Sequence, residues 1–194
     1  MKLTFAELHY LVGADARSAS FRNVVGLGEH SIDVSASGLA SLLMRDLATL
    51  SGDGTELSPE LEVHASALSS ATTWLGILSL APGTVVAGAI GLGGSANHRV
   101  IVSADDPGVF DIQFLRDDTT ATSQLVDLAV SLSGPLGGVL VTNVESQEVA
   151  GIAHNEDGSW SGQTGSTIEP LSTADEDGAR SFLAGALQAW DLPA

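Results

Sequence analysis

The chain has 194 residues, no cysteine, and a formal net charge of −17 from 7 basic and 24 acidic side chains. The absence of cysteine excludes a disulfide framework, a thiolate nucleophile and cysteine-ligated zinc. With no cluster of Lys or Arg, nucleic acid or an anionic bilayer would be repelled across most of the surface, so neither is an expected partner. The acids fall at turns and helix starts and read as a solvated shell, the alternative being a face for a basic client. The length suits one globular domain, residues 1–194, that needs no metal or disulfide to fold.

In chain order, Thr4-Phe5-Ala6-Glu7 is a capping box, in which hydroxyl and carboxylate satisfy free amides at the start of a short helix ending near Gly13. Glu7 also interrupts the apolar run a signal peptide would need, so a cytoplasmic location is expected. Ser20 to Gly26 reads as a strand. Ser35 or Ser37 opens a second helix with Leu39, Leu42, Leu43 and Leu47 as its apolar stripe and Gly52 past its end. Ser58-Pro59-Glu60 opens a third, with serine at the N-cap, proline at N1 and an acid in the first turn, running to about Ser70.

Residues 65 to 97 carry no charged side chain. Pro82-Gly83 splits this run, and each half has strand length, so it reads as two strands folded back on each other, buried on both faces, and not as a membrane span. Gly91-Leu92-Gly93-Gly94-Ser95-Ala96 has the loose form of a dinucleotide fingerprint, but that mechanism needs a helix to follow, and His98 to Val102 reads as a strand. The expected strands are 72–80, 84–92, 98–104 and 109–115, joined tightly enough to form an antiparallel meander.

Thr119 to Leu132 is a helix stopped by Gly134-Pro135. Val139 to Val144 and Val149 to His154 are strands, Asp157-Gly158 turns the chain into Trp160, and Ile168 to Leu171 is a short final strand. Ser172 to Asp175 starts the closing helix, whose apolar face is Phe182, Leu183, Ala186, Leu187 and Trp190. The fold class is therefore α+β, with antiparallel sheet covered by helices. Strands followed by a helix recur at 72–132 and 139–190, which suggests two related halves meeting near 134–138.

The sequence offers little chemistry. Its five histidines, His9, His30, His64, His98 and His154, form no metal-ligand pair, and His154, Glu156 and Asp157 read as an ordinary hairpin turn. Gly158-Ser159-Trp160-Ser161-Gly162 has tryptophan where a nucleophile elbow places serine. Lys2 is the only lysine, which removes Schiff-base and P-loop chemistry. No catalytic residue, cofactor or metal is expected.

Three segments carry a family resemblance: GLASLLMRDLATLSGDGTELSPELEVHASAL, HRVIVSADDPGVFDIQFLRDDTTATSQLVDLAV and GIAHNEDGSWSGQTGSTIEPLSTADEDGARSFLAGALQAW. Their succession resembles the EspG family, cytosolic chaperones of type VII (ESX) secretion in actinobacteria, and this chain is shorter than such proteins usually are. The resemblance implies a non-catalytic protein that shields a helical secreted client. Self-association through a sheet edge is the alternative assembly, and a small-ligand protein or enzyme using the loop 91–96 the alternative function. The client surface is expected at Gly93, Gly94, Ser95 and Asn97, an uncharged loop of small residues, with Trp160 and Trp190 as aromatic anchors.

Overall fold

The computed structural model describes residues 1–13, 19–52, 54–93, 99–115, 119–171 and 175–193. The first stretch forms β1 (Lys2–Thr4) and α1 (Phe5–Val12), followed by α2 (Ala19–Val24), α3 (Ile32–Met44), the hairpin β2 (Ala48–Ser51) and β3 (Gly54–Leu57), and α4 (Pro59–Ser70). The meander β4 (Thr73–Ala81), β5 (Thr84–Leu92), β6 (Val100–Asp106) and β7 (Val109–Phe114) leads into α5 (Ala121–Ser133). A second meander, β8 (Gly138–Asn143), β9 (Val149–His154), β10 (Trp160–Thr164) and β11 (Thr167–Pro170), precedes α6 (Glu176–Gln188).

The fold is α+β. Among the described residues, nine strands make one antiparallel sheet in the order β1-β7-β6-β5-β4-β8-β9-β10-β11, and β2-β3 stand apart. The two meanders join through β4 and β8, where Leu78 pairs with Leu140 and Leu80 with Gly138. The sheet thus runs unbroken past the boundary expected near 134–138.

The capping box at Thr4 and Glu7 is present, and Ser58 caps α4 with Pro59 at its start. Three local readings are corrected. Residues 20–26 are not a strand: α2 ends in a Schellman motif, with the Leu27 amide donating to the Arg22 carbonyl at 2.8 Å and Gly26 at φ 72°. Its Phe21 packs on Trp74, ring centroids 4.3 Å apart, which is the burial that fixes the helix. The N-cap of α3 is Ser31, whose hydroxyl accepts from the Val34 amide; the Ser35 hydroxyl instead lies 3.1 Å from Nδ1 of His9. The same helix stops before Leu47, because Asp46 adopts φ 56° and the Leu47 amide returns to Leu42, and Gly52 belongs to the hairpin that follows.

Alternation along the central strands creates two cores, one on each face of the sheet. Trp74, Ala89, Val100, Val102, Phe110 and Ile112 face the first, together with Leu8, Leu42, Leu61 and Leu68 of α1, α3 and α4. Leu75, Ile77, Ile90, Val139, Val141 and Ile152 face the second, with Leu125 and Ala129 of α5 and Leu183 and Leu187 of α6. The β4-β5 hairpin is therefore buried on both faces only at the end that holds Trp74. Its tip is open, with Leu80 48% and Val85 68% exposed.

A close helix contact anchors the first layer. Gly38 of α3 sits so near the Ala6 carbonyl that no Cβ fits between them. Beside it, fully buried Glu7 accepts from the Thr4 amide at 2.8 Å, the Ser41 hydroxyl at 2.7 Å and Arg45 at 2.6 Å. Burial pushes this carboxyl up, but those three donors together hold it below its ordinary range.

Candidate partner-binding surface

Among the described residues, helices cover opposite faces of the two meanders, which leaves each meander one face without a helix. On the first, the open face carries Ser103, Asp111 and Gln113, with Ser103 opposite Asp111 and Gln113 opposite Ile101, which packs partly buried against the second core. That is the polar exterior expected of a sheet solvated on one side. The second meander departs from it.

There the residues pointing away from α5 and α6 are Gly138 and Leu140 of β8, Gly151 and Ala153 of β9, Ser161 and Gln163 of β10, and Ile168 of β11, with Leu80 of the neighbouring β4 on the same side opposite Gly138. Pairing aligns them in rows: Leu140 opposite Gly151, Gly151 opposite Gln163, and Gln163 opposite Ile168. The small residues leave a trough between taller neighbours, a groove of about 450 Å³ that Leu136 also lines. Leu136 is 51% and Ile168 68% exposed. At Gly151 a Cβ would come within 2.6 Å of both the Leu140 side chain and the Val139 carbonyl, so glycine is what keeps the floor low.

Leu136 has a second peculiarity. It sits between α5 and β8 at φ 60°, a left-handed conformation that disfavours a branched apolar residue. Strain of this sort persists where surrounding structure imposes it, and here it holds a half-exposed leucine at the mouth of the groove.

The groove is apolar in acidic surroundings. Among the described residues that line it, Glu156 carries a carboxylate, and Asn155, Ser161 and Gln163 add polar groups to a mostly apolar wall. Asp157, in the adjoining turn, accepts from the Ser159 hydroxyl and amide, and these bonds hold its carboxyl below the ordinary range. From residue 117 to the C-terminus the sequence has twelve acidic side chains and one basic, Arg180. That arginine is bound to Asp127 at 2.5 Å and Glu176 at 2.8 Å, on the α5-α6 side of the sheet.

Of the residues expected to form the client surface, Gly93, Trp160 and Trp190 fall elsewhere. Gly94, Ser95 and Asn97 lie outside the described residues. Gly93, at φ 73°, is packed so closely on Thr72 that a Cβ would collide with its hydroxyl, and Pro193 lies just beyond. Trp160 is 7% exposed, stacks on His154 at 4.7 Å and packs within the core of the second layer. Trp190 packs partly buried against the same core, near Val149 and Gly165. Gly93, Trp160 and Trp190 are not among the described residues that line the groove.

The glycine run also has structural uses. A Cβ on Gly91 would meet the Trp74 ring at 2.8 Å, and Gly91 pairs with Val100, so β5 and β6 are hydrogen-bonded antiparallel neighbours. The dinucleotide mode requires a crossover to a parallel strand.

Sequence reasoning missed the groove because GGVLVTN is apolar at both alternations, and alternation alone does not say which face a helix covers. Among the described residues no group of three or more His, Asp or Glu is placed to hold a metal ion. No described helix is long and apolar enough to cross a membrane. No protein-family model matches the chain, and no curated protein matches it.

Proposed function

We propose that this is a non-catalytic binding protein, similar to the EspG family, that acts as a cytosolic chaperone for a helical substrate of type VII secretion. The observation that supports this reading is the apolar groove on the open face of the second meander. A concave, mostly apolar surface with a few polar groups on its walls is a place where a partner gains burial. The polar open face of the first meander makes the contrast within one molecule. The partner would be held by burial of the groove, a non-directional attraction that suits shielding an aggregation-prone client until delivery.

The test is co-expression with a two-helix type VII substrate pair that is insoluble alone. The expected result is a soluble complex that co-elutes with this protein in size-exclusion chromatography. Client that is equally soluble without it, or that elutes apart from it, overturns the reading.

A further inference from the structure

We infer that the groove between the Leu80-Leu140 ridge and Ile168 receives one amphipathic α-helix with an apolar stripe flanked by Lys or Arg, lying along β9 and β10. The inference deepens the proposed function and rests on it for the cellular role, but not for the geometry.

Three observations lead to it. The first is backbone satisfaction. β8, β9, β10 and β11 are paired in one ladder, so the groove floor has few backbone donors or acceptors left for an incoming chain. An extended segment laid on that floor would bury unpaired amides and carbonyls, whereas a helix satisfies its own.

The second is size. From β8 to β11 is three strand spacings, about 14 Å, close to the 10–12 Å or so of a helix with its side chains. The strands run six residues in β8 and in β9, about 20 Å, which matches roughly 13 residues of helix. The floor of Gly151 and Ala153 admits the helix, and Leu140 and Ile168 flank its apolar stripe. On the opposite face α6 already packs against β9 and β10 in the same way. The occupant would complete a third layer.

The third is charge. The surrounding half of the chain is strongly acidic, and its one arginine is engaged on the other side of the sheet. A helix with basic flanks meets complementary potential, and a second copy of this chain, also at −17, meets repulsion.

The probe is a fluorescein-labelled 16-residue peptide, a Leu/Ala stripe at i, i+3, i+4 and i+7 with Lys on both flanks, stapled into a helix and titrated against the intact protein by anisotropy. Two controls replace the flanking Lys by Glu, or break the helix with proline. Two protein variants carry the test. Ile168→Lys changes an exposed rim residue and leaves the cores intact. Leu136→Gly removes the groove-mouth side chain from a position whose backbone glycine prefers, so its melting temperature should equal or exceed the parent's.

Expected are saturable binding of the Lys-flanked helix, at least tenfold weaker binding of both control peptides, and about tenfold weaker binding by each variant, with affinity falling as salt rises. Equal binding of the Glu-flanked or proline-broken peptide overturns the inference. So does binding unchanged in both variants at unchanged melting temperature. Concentration-dependent dimerisation of the parent that Ile168→Lys abolishes overturns it in favour of a second copy. If a secretion client is held and these variants hold it equally well, the groove assignment falls and the chaperone reading stands. If the peptide behaves as expected but no client is held, the reverse applies.

Discussion

The two meanders have the same number of strands, and each is covered on one face, yet their open faces differ. Ser103, Asp111 and Gln113 turn outward on the first, beside partly buried Ile101, while Leu140, Ala153 and Ile168 do so on the second, with Leu80 of the neighbouring β4 at its border. Water explains the first choice and not the second. Apolar groups left on an open sheet face forgo the stabilisation that burial would give, of the order of 25 cal/mol per Å². The exposed apolar groups of the second meander contribute less to its stability than the same groups would if buried.

The largest effect that would break this comparison lies in the covered layer. Leu183→Ala, at a fully buried position of α6 facing the second core, should cost about 3 kcal/mol. At this size that is a fall of roughly 6–12 °C in Tm by calorimetry. A loss below about 1 kcal/mol would mean that α6 is not firmly packed on the sheet, and the contrast between covered and open faces would fail.

Glu7→Gln should cost less, about 2 kcal/mol, because buried charge-assisted hydrogen bonds are weakened while the shape is kept. The folded-state pKa of Glu7 lies below its ordinary value of 4.5. Its contribution is therefore complete above the unfolded-state value and is lost as pH falls through the folded-state one. Urea titrations of parent and variant should differ most at neutral pH and converge under acid. A gap that widens on acidification would contradict the hydrogen-bonded ionised carboxylate.

On the open side the expected effects are small and of opposite sign. Leu136→Gly should stabilise by about 0.5–1 kcal/mol, as left-handed strain is relieved. A clear destabilisation would show that Leu136 supports the fold and is not strained for binding. Ile168→Ser should change stability by no more than about 0.5 kcal/mol, in line with its exposure. A larger loss would place Ile168 in a packed contact and close the groove on that side.

Much of this architecture is legible in residue order. Capping residues at Thr4 and Ser58 mark two helix starts, and Pro82-Gly83 and Asp157-Gly158 mark two hairpin turns. The misreadings have particular causes. Gly26 followed by Leu27 is a helix terminator as much as a strand end, and the two differ only through the burial of Phe21 against a tryptophan about fifty residues away. Asp46 ends α3 in a conformation usually assigned to glycine. β1 has three residues and is defined by a partner at the far end of the first meander.

The surface was less legible than the fold. Tryptophan is a natural candidate for an anchor, but Trp160 is drawn into the core by its strand's alternation and by His154 opposite. The groove is made by what Gly138, Gly151 and Ala153 lack. Small residues mark either close packing or open space, and pairing between strands decides which.

The pairing of β1 with β7 also bears on the order in which the molecule assembles. Leu3 lies opposite Phe110 and Thr4 opposite Val109, so this edge closes only after a long intervening segment has been organised. The turns within β8 to β11 are local and close at little entropic cost. During synthesis β1 emerges first and has no strand partner until β7 is made, whereas each hairpin of the second meander can close soon after its own strands emerge. Pulsed hydrogen exchange during refolding should accordingly protect Ile152 and Gly162 before Leu3.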